Sequence, residues 1–441
     1  MANRVPRINL RSISRRDLAI VGIPALVLVV AAFWVAYQFV RPAPPDKLVM
    51  TTGSEDSAYH SFALKYQEIL ARHGISLELR PSSGSVENLK RLNDVDSGVG
   101  IGLVQSGTGD AKSYQDLVTL GYVYYEPIWV FYRGKDDSDR FANLRGLRIA
   151  IGPPGSGTRR LASQLLEANG ALDGPTRIVD LGGAEAALAL MQRKIDAMFT
   201  VGPAEMALVR NLLLADGVHL RHFSRAPAYT RLFPFLNLVK LPEGSIDLIR
   251  DIPAQDTLLL APTANVVARW DVHPALIDLM LQAMEEVHKG PGLLHSAGDF
   301  PKVRDHDFPV SSEAERFYKS GPPFLQRYLP FWAATLFERI FVLLLPLLAV
   351  LIPVLRYAPT LYSWRVRSGI VRWYGELKLL ELEIKEHYEP AQYQQYLKRL
   401  NELEEKAFVR PMPLHFTDQV YNLRQHIDMV RASLGKLRPS A

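Results

Sequence analysis

The chain has 441 residues, of which 48% are hydrophobic and 22% charged, with a formal net charge of +5 at pH 7. That length allows a sizeable core and more than one domain, while so small a net charge gives no ground for nucleic acid as a partner. There is no cysteine, which excludes disulfides, thiolate nucleophiles and cysteine metal sites together.

The N-terminus carries Arg4, Arg7, Arg11, Arg15 and Arg16 against Asp17 alone, so residues 1–17 read as a basic segment. Residues 18–40 are apolar apart from Gln38 and Gly22, long enough to span a bilayer. A cleaved export signal is the alternative, because Ser14-Arg15-Arg16-Asp17-Leu18 has a twin-arginine look, but no small-residue cleavage site follows. Pro42 to Pro45 form a stiff linker, and a second linker lies at 319–324. Residues 46–325 between them read as one domain outside the membrane.

Within that domain one unit recurs: an apolar strand, a turn of small polar residues, then a helix. Leu48–Met50 run into Thr52-Gly53-Ser54 and a helix with Phe62, Tyr66, Ile69 and Leu70 on one face and Gly74 just beyond it. "SLELRPSSGSVENLKRL" repeats the order, with Ser85 as expected N-cap and Glu87 in the first turn. "GVGIGLVQSG" is a strand of buried type ending at Gln105. "LRIAIGPPGSGTRRLASQLLEANG" follows, with Leu161, Leu165 and Leu166 on one helix face and Gly170 closing it. Its turn lacks the lysine that a phosphate-binding Walker loop requires, because Gly157 is followed by Thr158 and Arg159. "DAMFTVGPAEMALV" gives the unit once more.

Strands alternating with helices predict a mostly parallel sheet, with ligands bound beyond the carboxyl ends of the strands. Those ends carry Gly53-Ser54, Ser83-Gly84-Ser85, Gln105, Gly155 to Thr158 and Gly202-Pro203. Small hydroxyls and amides converge there without a carboxylate pair or a Ser/His/Asp set. Such a rim binds, and no catalytic role is expected of it. "GYVYYEPIWVFYR" and "LFPFLNLVKLP" bracket residues about 134–232, which predicts a second lobe with Glu126-Pro127 at the hinge rather than as a general base.

Five stretches, "TTGSEDSAYHSFA", "GSVENLKRL", "GLVQSG", "IGPPGSGTR" and "KIDAMFTVGPAE", resemble in that order the TAXI-type solute-binding proteins of TRAP transporters. The resemblance covers roughly 46–290, and the tail is similar to that of the longer, membrane-anchored members. It implies an α/β, two-lobed type II periplasmic-binding-protein fold, no cofactor, and capture of a small organic anion for a TRAP-type membrane permease. Position by position, it implies ligand contacts from Gly53, Ser54, Tyr59, Ser85, Gln105, Ser156, Gly157 and Thr158. Arg159 is a further candidate, able to grip a carboxylate bidentately or to lie on a salt-bridged face, as is Arg160. Glu55-Asp56 depart from the family's pattern, which has a Pro-Gly or Gly-rich pair before the tyrosine, and two acids beside the mouth would repel an anion unless they point away. His60 beside Tyr59 reads as a packed or surface histidine, with ligand contact as the alternative, and His219 with His222 lacks the partners a metal site needs.

Residues 336–356 form a second apolar segment, with Pro346 and Pro353 inside it. A full crossing is favoured by Arg356, Arg365, Arg367 and Arg372 beyond it, and a re-entrant hairpin is the competing reading. Both termini are then cytoplasmic and residues 46–325 lie on the periplasmic side of a bacterial inner membrane. Residues 357–441 read as a cytoplasmic, all-α tail broken at Pro390. In it Tyr393, Leu397, Leu400 and Leu403 form one stripe, Thr417 is an expected N-cap, and Val420, Leu423, Ile427 and Val430 face inward. A self-packed bundle is the plain reading, and a homodimer through the tail is the alternative. The expected function is a membrane-anchored solute receptor, with a ligand sensor that signals through the tail as its rival.

Overall fold

The computed structural model describes residues 15–39, 42–134, 141–172, 174–303, 307–409 and 416–437. The basic residues Arg4, Arg7 and Arg11 therefore lie outside the described residues. Contacts divide the chain into two units, Ala43–Thr335 and a second made of Met1–Pro42 with Leu336–Ala441.

In the first unit the chain builds two five-stranded sheets with the same plan. Strands β1 (Lys47–Thr51), β2 (Ser76–Arg80), β3 (Ile101–Gln105) and β4 (Leu117–Tyr125) are followed by β5 (Ile128–Tyr132), β6 (Arg148–Ala150), β7 (Arg177–Val179), β8 (Ala197–Val201) and β9 (His219–Leu220). Then come β10 (Asn237–Leu241), β11 (Thr257–Ala261) and β12 (Thr263–Arg269). The first sheet has the order β2-β1-β3-β12-β4 and the second β7-β6-β8-β5-β9, while β10 and β11 pair as a separate ribbon. In each sheet one strand is reversed, β12 in the first and β5 in the second. These reversed strands are the ones the chain enters on crossing between lobes, which is why the sheets are mixed rather than wholly parallel.

The crossings sit at Glu126-Pro127, between β4 and β5, and at Pro262, between β11 and β12. They run side by side, with the Glu126 N–H donating to the Pro262 carbonyl at 2.9 Å. The second lobe therefore extends from 127 to 262, wider than the expected 134–232. Strand β10, which had marked the return, stays inside that lobe because it pairs with β11.

Each lobe has its own apolar core. In the first, Met50, Tyr66, Leu70, Leu103 and Val266 are sealed beneath α2 (Ala58–Arg72). In the second, Trp129, Phe131, Phe199 and Leu165 are fully buried, and the Trp129 indole donates to the Gly202 carbonyl at 2.8 Å. Removing such side chains from water is worth ~1.5–3 kcal/mol each. Helix starts follow local chemistry. Ser57 caps α2 by accepting from the His60 N–H, and Ser156 caps α4 (Gly157–Ala168) by accepting from the Arg159 N–H. For α3 (Ser85–Asn93) the capping position is Gly84, not Ser85, whose hydroxyl is engaged elsewhere.

The second unit contains α1 (Arg15–Phe39) and most of α10 (Phe331–Glu386), both long and apolar enough to cross a membrane by length and composition. Their apolar side chains stay exposed, Leu26 at 63% and Leu345 at 73%. Helix α10 has 56 residues and no break at Pro346, Pro353 or Pro359. At 1.5 Å per residue it is roughly 84 Å long, so no re-entrant turn occurs in it. Its charged half packs with α11 (Tyr393–Val409) and α12 (Thr417–Lys436) around Trp373, Leu377, Leu400, Leu423 and Leu434. The buried stripe of α11 is Tyr396, Leu400, Leu403 and Ala407, one position round from the expected one, with Tyr393 and Leu397 beside it. Thr417 is the first helical residue of α12, after Phe416 at the cap position.

Candidate functional site

A cleft of about 1200 Å³ lies between the lobes. Its floor is the crossing at Glu126, and its walls are the carboxyl ends of β1, β3, β6 and β8 with the turns that follow them. Of the residues expected from sequence, Gly53, Ser54, Tyr59, Ser85, Gln105, Ser156, Gly157 and Thr158 all line it.

In the first lobe these turns are held by Asn88, which is fully buried. Its amide donates to the carbonyls of Thr52 and Leu103, at 2.6 and 2.7 Å, and accepts from the hydroxyls of Thr51 and Ser82, each at 2.6 Å. Two donors and two lone pairs are all used, so one side chain ties the turn after β1 to the turn before α3 and to β3. The Ser85 hydroxyl accepts from the Gln105 N–H at 2.9 Å and lies 3.3 Å from the Tyr59 hydroxyl. Tyr59 donates to Glu126 Oε2 at 2.9 Å. Phe62, Tyr124 and His288 complete this wall, with Phe62 4.7 Å from each of the other two ring centres.

Burial sets the protonation of these groups. Glu126 is 4% exposed, and removal from water pushes its carboxyl up to about 8, against the Tyr59 hydrogen bond that lowers it. The Tyr59 and Tyr124 phenols are raised well above their ordinary range, chiefly by burial and then by Glu126. Burial drives His288 down to about 3, so it stands neutral, its Nε2 2.5 Å from the Tyr66 hydroxyl.

The second lobe contributes the turn Gly152 to Gly157. Gly152 and Gly155 have φ of 93° and 87°, the left-handed region that glycine enters without strain. The Ser156 hydroxyl is spent within its own turn, donating to the Pro153 carbonyl at 2.8 Å while capping α4. What this turn offers the cleft is the start of α4, where amide dipoles favour an anion, together with Thr158. Arg159 does not line the cleft. Its guanidinium is engaged by two residues of the cleft wall, Asp180 at 2.5 Å and the Gly152 carbonyl at 3.2 Å. Arg160 instead reaches across to the Gly107 carbonyl at 3.3 Å.

The rims touch. A side chain begun at Gly84 would stand 3.3 Å from the Ser156 Cα, and one at Gly157 would stand 2.6 Å from Gln105 Oε1 and 3.2 Å from the Ser85 hydroxyl. Asp56 lines the cleft while Glu55 does not, and His60 packs on Thr52 with Nδ1 3.3 Å from its hydroxyl. Among the described residues no group of three or more His, Asp or Glu is arranged to hold a metal ion.

Asn88, Glu126 and His288 were not among the residues expected to bind. Asn88 was inside a motif, yet an asparagine in a helix gives no sign of burial. The signal for Glu126 was its place at a predicted crossing between two apolar strands, where an acid has no solvent to face.

Comparison with solved structures finds the alkanesulfonate-binding protein SsuA from Xanthomonas axonopodis pv. citri bound to MOPS, at 16% identity and TM-score 0.36, over 56% of this chain and 75% of that one. The periplasmic aliphatic sulphonate binding protein SsuA from Escherichia coli matches at 17% identity and TM-score 0.35, over 73% and 94%. An ancestral arginine-binding protein bound to arginine matches at 12% identity and TM-score 0.36, over 56% and 94%. Residues 50–242 match the NMT1-like family, and the unit they belong to has two lobes, each built on a mixed five-stranded sheet.

Proposed function

We propose that the protein is a membrane-anchored, extracytoplasmic solute receptor. It captures a small organic acid or amino acid between its lobes and delivers it to a membrane permease of the TRAP type. The observation that carries this is the cleft itself: two lobes of one strand plan, joined by two adjacent crossings, present small polar side chains and a helix start to one shared space. Crossings of that kind let the lobes swing as bodies, so a ligand is enclosed by closure. The ligand carboxylate is held at the start of α4 by amides and Thr158, which needs no lysine. The exposed apolar lengths of α1 and α10 fit lipid as their surroundings, with Ala43–Thr335 outside and the helical tail inside.

Thermal melting of the full chain in lipid nanodiscs, screened against organic acids and amino acids, tests this reading. A tight ligand raises the midpoint by mass action. A flat response to every compound of both classes sinks it. A second reading, a sensor signalling through the tail, is favoured by the unbroken run of α10 from its apolar half into the helical bundle. Deleting the tail separates the two: a permease-coupled receptor that needs its tail loses uptake of the solute, whereas a sensor loses its signalling output while uptake by a separate system continues.

A further inference from the structure

The cleft is built around an acid. Glu126 sits on its floor, almost wholly out of water, and its one described side-chain hydrogen bond is the one accepted from Tyr59. Asp56, Asp180, Glu185 and Glu205 line the same space, and among the described lining residues the only lysine is Lys65 and there is no arginine. Lys65 stands over the Phe62 ring, 5.2 Å from its centre. Asp180 is paired with Arg159, so a solute with negative charge alone would meet the helix start on one side and Asp56, Glu185, Glu205 and the buried Glu126 on the others. A buried carboxyl aimed at a ligand space is costly unless the ligand brings the opposite charge.

We propose that Glu126 recognises a protonated amine on the solute, so that the receptor takes a zwitterionic amino acid and discriminates against the matching 2-oxo acid. This rests on the solute-receptor reading and narrows its ligand class. The carboxylate lies at the start of α4 and the ammonium at the crossing, so the two charges bridge the lobes. In the empty cleft Glu126 is protonated at neutral pH. On binding, its carboxyl gives its proton to solvent, the ammonium keeps its own, and an ion pair forms away from water.

The groups facing Glu126 are Tyr59 from α2, Ser85 from α3 through Tyr59, and Tyr124 from β4, with the Pro262 carbonyl beside its backbone. Both phenols stay protonated through neutrality and His288 stays neutral, so they leave the carboxyl as the group at the crossing that titrates there. Affinity for the amine should rise by up to roughly tenfold per pH unit between pH 6 and 8 and flatten above. Tyr59→Phe removes the hydrogen bond that favours the carboxylate, so the flattening should move to higher pH.

The test is calorimetry on the full chain in nanodiscs, with the common L-amino acids and, for each, the 2-oxo acid of the same side chain. Titrations at pH 7 in two buffers of different ionisation heat count the protons. We expect at least one amino acid to bind ten times or more tighter than its 2-oxo acid, with close to one proton released. In Glu126→Gln both the preference and the release should vanish. If a 2-oxo acid binds as tightly as its amino acid, or the amino acid binds without proton release, the proposal is overturned and the receptor reading stands. If no acid of either kind binds, that reading fails and the proposal with it. The proton count is made on the unaltered protein, so it decides the matter even if the variant does not fold.

Discussion

The two lobes share a strand order but build unlike rims. In the first lobe the turns are fixed by buried polar side chains: Asn88 with the Thr51 and Ser82 hydroxyls and the Thr52 and Leu103 carbonyls, and Tyr59 with Glu126. In the second lobe the corresponding turn is shaped largely by local sequence, through two left-handed glycines, two prolines and a serine that caps the following helix, with Gly152 tied to the Leu181 carbonyl and the Arg159 side chain. One lobe brings side chains preset by tertiary contacts. The other brings bare amides that local sequence places. The difference teaches that one strand plan can divide recognition between a side-chain wall and a backbone wall, and that the two should fail differently when altered.

The largest effect should come from Asn88→Leu. It strips a partner from the buried Thr51 hydroxyl and the Leu103 carbonyl, while the part-buried Ser82 hydroxyl keeps its bond to the Thr52 carbonyl; with ~1–3 kcal/mol for each group left unmatched, the loss should be roughly 2–5 kcal/mol in all. Chemical denaturation checks this, and a loss under about 1 kcal/mol would show that the first rim does not depend on its side chains.

Next is Glu126→Gln without ligand. The carboxyl's pKa is raised on folding from an ordinary 4.5 to about 8, so the unaltered protein holds the extra proton when folded. That proton costs nothing below pH 4.5, where both states are protonated. As pH rises towards 8 the unfolded state alone ionises, and stability falls by on the order of a few kcal/mol. The glutamine variant should therefore melt higher than the parent at pH 9 and much like it at pH 4. Equal midpoints at pH 9 would contradict the buried carboxyl.

On the backbone wall, Gly157→Val should leave unliganded melting close to the parent's. Its side chain would push against Gln105 and Ser85 and keep the rims apart. Affinity for whichever acid the screen identifies should fall tenfold or more, ~1.4 kcal/mol. Unchanged affinity would mean that the rims need not meet. The smallest effect should be Arg159→Ala, since its pair with Asp180 is partly exposed on both sides, at 31% and 56%. Such pairs contribute ~0–1 kcal/mol, and a hundredfold loss of affinity would return Arg159 to the binding set.

Much of the fold was legible because periodicity is local. The strand ending at Gln105, the helices after Ser57 and Ser156, and the apolar lengths of α1 and α10 each follow from spacing, capping residues or hydropathy within a few turns of chain. Readings that failed were those requiring a partner distant in sequence. Ser85 was assigned to cap a helix, yet its hydroxyl accepts from Gln105, twenty positions on. Of the two readings of Arg159, the salt-bridged one depends on Asp180, which stands 21 positions on. The second lobe was closed too early because β10 has the alternation of a crossing strand, and only its pairing with β11 reveals it as a ribbon.

The sequence by itself determined which segments are strands, turns and helices, that small hydroxyls and glycines gather at strand ends, and that two helices are apolar enough for lipid. Those properties depend on neighbours within a few residues, where backbone sterics and side-chain spacing act. Tertiary structure alone decided which strand is reversed in each sheet, that Asn88 stands at the centre of one rim, and that Glu126 is sealed at the crossing with Tyr59, 67 positions away. Burial, and with it the charge a carboxyl carries, is set by what packs from distant parts of the chain, because the cost of removing an ion from water depends on all its surroundings at once.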